Sequence, residues 1–402
     1  MRFLRITSAY PGYVELFYAR NLGLAGQGYA VQRARFDHDH FAWGNSLTTA
    51  LAGLGHEVAE IEVGLGPMLK AWALENLTTG QEFDAEAVVL EQVRRFRPEV
   101  MLFDCPRHAL LKAIRAANPG IRLVFGWTGS AIGLADLWRD MDVVLSCAPE
   151  SVEEMKRRGY RAEHLNHAFD PAVVDRLASG EPEIPVSFIG SIIRRDSFHM
   201  ERERILLALA ERIPLRIYSP DPASGACEYA KIAICGGLYG ISAALSSMGL
   251  LEKAKRRSRF MARLLNLSSF PRLPVNRKLA RLVQPGIFGL AYYEAMRSSE
   301  VSLNIHADSS PRYASNIRLF ESPGVGSCLL TDWRPNLPEL FEPDREVVAY
   351  RSAAECAEKA RWLLDHPGER REIARRGQKR VLRDHNFKNR AIELDALIRR
   401  SV

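Results

Sequence analysis

Short apolar runs alternate with helix-like patterns along nearly the whole chain, and this alternation restricts the folds that the chain can adopt. Apolar stretches of about five residues, bounded by turns and followed by amphipathic segments, are typical of a mainly parallel α/β sheet. Val100–Asp104 and Leu215–Ser219 are such stretches, and Ala353–Asp365 has a helical pattern. The sequence therefore predicts an α/β protein built on buried parallel strands.

The alternation runs through the chain twice, with a polar linker between the two series. Ser179–Pro185 contains two prolines and a glycine, and Val186–Gly190 begins the second series of strands. A chain of 402 residues exceeds what one hydrophobic core usually serves. We therefore predict two Rossmann-like domains, residues 1–181 and 182–384, whose mainly parallel sheets face each other across a cleft. Ligands of such sheets bind at the carboxyl ends of the strands.

Composition and charge narrow the class of protein further. A content of 47% hydrophobic and 26% charged residues argues against a disordered or fibrous chain. The six cysteines are scattered without the spacing of a metal site, and the N-terminal residues lack the apolar core of a secretion signal. The net charge of +7 suits an anionic ligand or a membrane surface without indicating nucleic acid. We expect a cytoplasmic protein with no nucleic-acid partner.

The segment Asn316–Asp332 has the clearest chemical logic in the chain. Arg318 and Glu321 are three residues apart, so they share one face of a helical turn. An arginine can bind a diphosphate through two parallel hydrogen bonds, and a carboxylate can accept hydrogen bonds from ribose hydroxyls. Gly324 and Gly326 would let the backbone pass close to a ligand. The spacing alone favours a surface Arg–Glu pair followed by a glycine turn.

Several stretches carry a resemblance to a known family. They are S-L-N-I-H-A-D from Ser302, A-S-N-I-R-L-F-E from Ala314, G-V-G-S-C-L-L-T-D from Gly324, N-L-P-E-L-F-E-P from Asn336, E-V-V-A-Y from Glu346 and, more loosely, Tyr29–Ser46 and Ala50–Val58. Together they resemble the CgeB-like, spore-maturation type glycosyltransferases, which have the GT-B fold. The resemblance implies a nucleotide-sugar donor in the C-terminal domain and an acceptor in the N-terminal domain. It also implies that the last helix, residues 385–402, returns to the N-terminal domain.

The resemblance assigns roles to individual residues of the donor site. Arg318 would contact the diphosphate and Glu321 the ribose, while Asn316 would fix the loop between them. The segment with Gly324 and Gly326 would hold the phosphates on backbone N–H groups.

A second loop completes the donor site that the resemblance implies. The F-I-G-S turn, with Gly190 and Ser191, resembles the family's donor-domain glycine loop. Arg194 or Arg195 would then lie near the phosphates. One departure concerns the two glutamates, eight residues apart, of many retaining GT-B enzymes. Tyr313 stands eight residues before Glu321, so the stereochemistry of transfer stays open.

A general base is needed only if the reaction inverts the sugar's anomeric configuration. Asp104 ends a buried strand at its carboxyl end and is the preferred candidate, with Asp39, His40 and His108 as alternatives. His306 ends the strand before the donor loop and is the preferred contact to the donor sugar. A plain structural role remains the alternative for each of these side chains.

Two D-x-D triplets, Asp37–Asp39 and Asp140–Asp142, could in principle bind a divalent metal with a diphosphate. With 48 acidic residues in the chain, two such triplets are expected by chance. We therefore predict no metal and no cofactor, with the nucleotide-diphosphate sugar acting as donor substrate.

The C-terminal domain contains a basic insertion near residues 222–290. Ile232–Leu251 has no charged residue and is long enough to span a bilayer, but a span there would split the Rossmann unit, so we predict that it does not cross. Lys253–Arg281 contains ten Lys or Arg and no Asp or Glu. This pattern is equally compatible with peripheral contact with the anionic inner face of a membrane and with a solvated insertion helix.

The function predicted from these features is transfer of a sugar from a nucleotide-sugar to a hydroxyl of a glycan, a lipid-linked molecule or another acceptor. The same two-domain architecture also serves sugar-nucleotide epimerases and phosphorylases. A non-catalytic relative that binds a membrane or nucleic acid through the basic insertion is a third hypothesis.

Overall fold

A computed structural model describes residues 1–77, 83–129, 135–192, 200–221, 226–257, 275–306 and 310–402. Within these residues the chain forms two six-stranded sheets in which all paired strands are parallel. The predicted α/β class with two parallel sheets is confirmed.

The first sheet is built by the N-terminal part of the chain. Its strands are β1 (Arg2–Thr7), β2 (Glu57–Glu62), β3 (Val100–Asp104), β4 (Leu123–Thr128), β5 (Val143–Ser146) and β6 (Ala162–His164). They lie in the order β2-β1-β3-β4-β5-β6. The helices of this part are α1 (Pro11–Arg20), α2 (Tyr29–Asp39), α3 (Ser46–Ala52), α4 (Gly66–Asn76), α5 (Ala85–Phe96), α6 (His108–Ala117), α7 (Ala135–Trp138) and α8 (Pro149–Arg157).

The second sheet follows the linker. Its strands are β7 (Ile184–Ile189), β8 (Leu215–Ser219), β9 (Val283–Pro285), β10 (Ser299–Asn304), β11 (Cys328–Asp332) and β12 (Val348–Tyr350), in the order β12-β11-β10-β7-β8-β9. The helices of this part are α9 (Met200–Ala210), α10 (Ala226–Ser247), α11 (Leu251–Arg257), α12 (Arg277–Ala280), α13 (Leu290–Arg297), α14 (Arg318–Gly324), α15 (Leu337–Leu340), α16 (Ala353–Asp365), α17 (Pro367–Asp384) and α18 (Phe387–Ser401).

Local sequence signals explain where several helices begin and end. The Ser352 hydroxyl accepts a hydrogen bond from the Glu355 N–H, and the Glu355 carboxylate accepts one from the Arg351 N–H, so both ends of a capping arrangement hold the start of α16. At the other end of a helix, Gly159 has a φ of 87° directly after α8. Glycine adopts this left-handed conformation without steric cost, which ends the helix.

The C-terminal helix α18 packs against the N-terminal domain. Its buried face contributes Phe387, Leu394 and Ile398 to the same hydrophobic core as Leu47 and Leu51 of α3. The two halves of the chain are therefore tied together by a shared apolar core as well as by the linker.

Helices α10 and α11 form an insertion between two paired strands. Because β8 pairs directly with β9, the insertion lies outside the second sheet and does not divide it. That the stretch Ile232–Leu251 does not cross a membrane stays a prediction. Among the described residues, one helical stretch, Ala230–Ser247, is long and apolar enough to cross a membrane by length and composition. Of the basic segment Lys253–Arg281, the structure describes residues 253–257 and 275–281.

Candidate functional site

Candidate residues from both domains meet at the carboxyl ends of the strands. Asp104 ends β3, and Tyr10 lies in the loop after β1. Burial and the negative charge of Asp104 raise the pKa of Tyr10, while the positive charge of Arg318 lowers it. Tyr10 is thus within electrostatic reach of both domains, although 65% of the residue remains exposed. Tyr10 therefore marks a solvent-accessible position near both Asp104 and Arg318.

Arg318 lies against the glycine loop of the second sheet. A Cβ atom added to Gly190 would lie 2.9 Å from the Nη2 atom of Arg318, so the guanidinium passes directly over the backbone of Gly190. The Nε atom of Arg318 is buried and has no hydrogen-bond partner in the described part of the chain. A buried guanidinium donor without a partner costs free energy unless a ligand accepts from it, which is the condition expected of an anion site.

Glu321 is held by two consecutive tyrosines of α13. Its carboxylate accepts hydrogen bonds from the Tyr292 hydroxyl at 2.6 Å and from the Tyr293 hydroxyl at 3.0 Å. Burial raises the pKa of Glu321 to about 7, against the lowering effect of both tyrosines and Arg318. Both carboxylate oxygens already have partners inside the protein, so the ribose contact stays a prediction. Sequence reasoning missed the tyrosines, although their place on an amphipathic helix was readable.

The Tyr293 hydroxyl also reaches the N-terminal domain. It lies 3.2 Å from the carbonyl oxygen of Ala42. Ala42 and His40 have positive φ angles of 53° and 54°, which non-glycine residues rarely adopt. Such strained backbone persists where surrounding contacts over-determine it, and here it faces the opposite domain. Burial lowers the pKa of His40 to about 4 despite Asp170, and the ring is almost fully enclosed, so its surroundings favour a structural role.

His306 is oriented by a carboxylate at the end of the next strand. Its Nδ1 atom lies 2.6 Å from Asp332, whose other oxygen accepts a salt bridge from Arg334 at 2.7 Å. Burial would raise the pKa of Asp332, but the charges of His306 and Arg334 together lower it. The Nε2 atom of His306 is buried without a hydrogen-bond partner among the described residues. This nitrogen is available for a ligand hydroxyl.

Asn316 joins the loop before α14 to the end of β10. Its side-chain amide donates to the Asn304 side-chain oxygen at 3.0 Å and to the Ile305 carbonyl oxygen at 3.3 Å. Asn304 in turn donates to Thr331 of β11. This chain of hydrogen bonds fixes the start of α14, and therefore Arg318, relative to the sheet.

The glycine loop after β7 is braced by two residues that sequence reasoning missed. The Ser191 hydroxyl donates to Asp221 at 2.8 Å, and the Ser191 carbonyl oxygen accepts from the buried Arg202 at 2.9 Å. A second Arg202 nitrogen donates to the Ile305 carbonyl oxygen, which joins the loops after β7 and β10. Arg194 and Arg195 lie outside the described residues. Ser191 is therefore engaged in the protein's own contacts, and a phosphate contact by its hydroxyl stays a prediction.

The segment with Gly324 and Gly326 begins at the last residue of α14 and leads into the amino end of β11. The backbone N–H groups of Val325, Gly326 and Ser327 already donate to carbonyl oxygens of the preceding turn. Gly326 has a φ of 88° and turns the chain into the strand. The expectation that this stretch holds phosphates on free N–H groups is therefore not supported for those three residues, because their donors are used.

Gly324 has a packing reason of its own. A Cβ atom at this position would lie 2.5 Å from two ring carbons of Phe169, a fully buried residue that leads into the linker. We expect Gly324→Ala to lower the free energy of unfolding by about 1–3 kcal/mol through overpacking.

Thermal unfolding, followed by circular dichroism, measures the effect of Gly324→Ala. The matched control is Gly368→Ala, where a Cβ atom would meet nothing within 4 Å, and its melting temperature should be unchanged or higher. Equal melting temperatures for both variants would contradict the packing role. If Gly324→Ala instead lost nucleotide affinity without losing stability, the result would support the predicted contact between this segment and the phosphates.

Asp104 has no hydrogen-bond partner for its carboxylate among the described residues. Burial raises its pKa, and the positive charge of Arg5 opposes that rise. The neighbouring carboxyl group of Glu62 is different, because it accepts from the N–H groups of Ala9 and Gly64. Burial raises the pKa of Glu62 to about 7 despite these bonds. Asp104 is thus the half-buried carboxylate of this edge that is free to meet a ligand.

The remaining candidates have structural partners. Asp39 accepts a hydrogen bond from the Tyr13 hydroxyl at 2.8 Å, and His108 contacts Asp140. In the D-x-D triplets, Asp37 pairs with an arginine, and Asp142 accepts from the backbone N–H of β4. In the part of the chain that the structure describes, no three His, Cys, Asp or Glu side chains converge as a metal site would require.

Glu150, at the start of α8, bridges the two domains. Its Oε1 atom accepts from the Ser310 hydroxyl at 2.9 Å and from the Arg312 N–H at 3.2 Å, and the Tyr313 N–H lies 3.4 Å away. The loop that follows β10 is therefore held by a carboxylate of the opposite domain. Sequence reasoning missed Glu150, because nothing in a charged helix start identifies a contact across a cleft.

Comparisons with known proteins give a family match for the C-terminal part of the sequence and solved structures with a similar fold. Residues 250–396, less than half of the chain, match the model of the family described as Glycosyl transferase-like. No curated protein sequence matches the chain. Among solved structures, HepE of Anabaena in complex with UDP and glucose has a TM-score of 0.55 at 12% identity, over all of both chains.

Two further structures have the same architecture. Sucrose-phosphate synthase of Thermosynechococcus elongatus has a TM-score of 0.51 at 12% identity, over 100% of this chain and 98% of its own. The lipopolysaccharide outer core galactosyltransferase WaaB has a TM-score of 0.50 at 12% identity, over all of both chains. At such identities the likeness shows the fold, and it confirms the predicted GT-B architecture. The CgeB-like subgroup stays a prediction.

Proposed function

We propose that the protein is a glycosyltransferase that moves a sugar from a nucleotide-sugar to an acceptor hydroxyl in the cleft. One observation carries the proposal. Arg318 lies over Gly190 with a buried Nε donor that has no hydrogen-bond partner among the described residues, at the strand ends where GT-B folds place ligands. The family match over residues 250–396 supports the same chemistry.

The departing nucleoside diphosphate gains negative charge as the bond to the sugar breaks. A guanidinium held in place before the reaction stabilises that charge without reorganising at the moment of transfer. The hydrogen bonds of Asn316 hold the start of α14, so they serve to position Arg318. A fixed cation at this point can do the work of a divalent ion, and we propose that transfer is independent of metal.

The acceptor hydroxyl must lose a proton, and we propose Asp104 as the group that takes it. Its carboxylate lies on the opposite side of the cleft from Arg318, and its pKa is raised by burial, which makes it a better base than an ordinary aspartate. His306 would contact the donor sugar through its unpartnered Nε2 atom, with Asp332 fixing the ring.

The donor and the acceptor are proposed only as chemical classes. HepE binds UDP-glucose, so a uridine diphosphate sugar is the first donor to examine. The acceptor is a hydroxyl of a glycan or of a lipid-linked molecule, reached at the cytoplasmic side of a membrane. The basic stretch Lys253–Arg281, with ten Lys or Arg and no acidic residue, supports contact with an anionic surface.

Nucleotide binding is the first test of the proposal. We expect one of UDP, GDP, dTDP, ADP or CMP to raise the melting temperature, since a ligand at about 100 times its Kd stabilises by about 2.7 kcal/mol. Thermal shift assays with the five nucleotides measure this directly. Stabilisation by none of them, at millimolar concentration, would contradict a nucleotide-sugar site.

The matching sugar-nucleotide then separates the reactions. A glycosyltransferase releases nucleoside diphosphate faster when acceptor is added. An epimerase changes the sugar whether or not an acceptor is present, and a phosphorylase requires inorganic phosphate. Nucleotide release that responds only to phosphate would replace transfer with phosphorolysis.

A further inference from the structure

Helix α10 carries an apolar surface with little covering. Its 22 residues extend over about 33 Å, and Ser242 is the one buried residue of the stretch Ala230–Ser247. Three large apolar residues follow each other at intervals of seven, two of them in α10 and the third directly after its last residue. They are Ile234, Ile241 and Met248, with 64%, 53% and 61% of their surface exposed. Residues seven apart lie on the same face of a helix, so they form one continuous stripe, which we call the α10 stripe.

The chain next to the α10 stripe is basic. Helix α11 begins three residues after Met248 and has the sequence L-E-K-A-K-R-R. From Lys253 to Arg281 no acidic residue occurs. An apolar stripe beside a run of Lys and Arg is the pattern of a helix that lies in the interface of an anionic membrane. A soluble partner protein would cover the stripe but would not require the adjacent positive charge.

The topology of the sheet decides between lying on a membrane and crossing it. Strands β8 and β9 are parallel neighbours, so the chain leaves the second sheet before α10 and returns to the same sheet. A crossing by α10 would require a second crossing by residues 251–282. That stretch contains eleven charged residues, and its longest uncharged run is residues 264–271. A crossing helix needs about 20 apolar residues, so a return through the bilayer is excluded.

We propose that α10 docks in the plane of an anionic membrane, with the α10 stripe among the upper acyl chains and Lys253 and Lys255 of α11 at the headgroups. The insertion leaves the sheet at the carboxyl end of β8, beside the strand that ends at Gly190. Docking therefore brings the cleft close to the membrane surface, where a lipid-linked hydroxyl could enter. The docking itself needs no substrate, so it stands independently of the proposed transfer.

Vesicle binding of the full-length protein tests the docking. We expect co-sedimentation with vesicles of phosphatidylcholine and phosphatidylglycerol, and much weaker binding to phosphatidylcholine alone. The double variant Ile234→Gln, Ile241→Gln should lose at least about tenfold in vesicle affinity, because each isoleucine loses the transfer of its side chain from water. The control Ile392→Gln, on α18 and 50% exposed, should bind like wild type.

The contribution of the basic residues of α11 is tested separately. Lys253→Gln with Lys255→Gln should weaken binding to the anionic vesicles, and high salt should do the same to wild type. An unchanged melting temperature of every variant shows that loss of binding is not loss of fold. Equal binding of wild type and both double variants would overturn the proposal.

Depth measurements distinguish an in-plane helix from a crossing one. A tryptophan added by Ile234→Trp or by Ile241→Trp to the six native tryptophans should show equal extra quenching, relative to wild type, by lipids brominated at one depth, because both positions face the same way. In a crossing helix the two positions differ in depth by about 10 Å. Unequal quenching would overturn the in-plane docking. So would a stable dimer that Ile234→Gln, Ile241→Gln converts to monomer without any vesicle binding, since a second copy would then cover the stripe.

Discussion

Replacing Arg318 with alanine is expected to lower sugar transfer by about 10²–10³-fold and to leave the chain folded. The guanidinium lies over the backbone of Gly190, and its buried Nε atom has no partner among the described residues. Its removal takes away a charge that is most needed when the diphosphate departs. The effect should therefore appear in kcat as well as in KM. Steady-state transfer with the nucleotide-sugar found by thermal shift measures it.

The Arg318 prediction has a conservative and a distant comparison. Arg318→Lys keeps the charge but loses the planar pair of donors, so we expect it to recover only part of the activity. Arg345→Ala removes an exposed arginine of the same domain, paired with Glu342, and should transfer at the wild-type rate. Normal turnover in Arg318→Ala with intact nucleotide binding would contradict the proposed role.

The sequence predicts those elements whose signal is local. Val100–Asp104 and Leu215–Ser219 are found with the predicted bounds, because a buried parallel strand is a continuous apolar run between turns. The three-residue strand Val283–Pro285 is too short to produce such a run. Helix α10 was missed as a helix because an uncharged stretch with four glycines has no clear amphipathic period.

The candidate site likewise contains some features that the local sequence predicts and others that depend on how distant segments pack. The chemical types of Arg318 and Asp104 at strand ends and helix starts were readable, since strand ends are where parallel sheets bind ligands. That Arg318 passes over Gly190 depends on how β10 and β7 pair, which no local pattern encodes. Glu150 and Tyr293 were missed for a related reason. Their partners belong to the opposite domain, so only the arrangement of the two domains in space gives them a role.

The glycines after Arg318 show where local reasoning misleads. Gly324 and Gly326 suggested close approach to a phosphate, and close approach is indeed why Gly324 is a glycine. The approaching group is the ring of Phe169, ten residues before the linker, because α14 packs against this segment of the chain. A glycine in the sequence indicates that some group lies close to the backbone, but not whether that group belongs to a ligand or to the protein itself.

Replacing Asp104 with asparagine is expected to lower transfer by about 10²–10⁴-fold while leaving nucleotide affinity unchanged. Asparagine keeps the shape of the side chain but cannot take the proton of the acceptor hydroxyl. Because burial raises the pKa of Asp104, the acid limb of kcat/KM in the wild type should lie above the ordinary aspartate pKa of about 4. A pH profile of transfer, with nucleotide affinity measured in parallel, checks both expectations.

The burial of Asp104 also predicts the direction in which Asp104→Asn changes the melting temperature. A pKa raised by folding means that the folded state binds the proton more tightly, so the stabilisation is present below the unfolded pKa and is lost as pH rises through the folded pKa. Asparagine has no charge to bury at any of these pH values, so the variant does not lose this stabilisation. It should therefore melt at a higher temperature than wild type near neutral pH. The gap should close as pH falls towards about 4. Asp175→Asn, at an exposed position of the linker region, should change neither stability nor transfer. A less active but no more stable Asp104→Asn would mean that the carboxylate is not buried in solution. A more stable and fully active one would leave the buried carboxylate in place but remove Asp104 as the base.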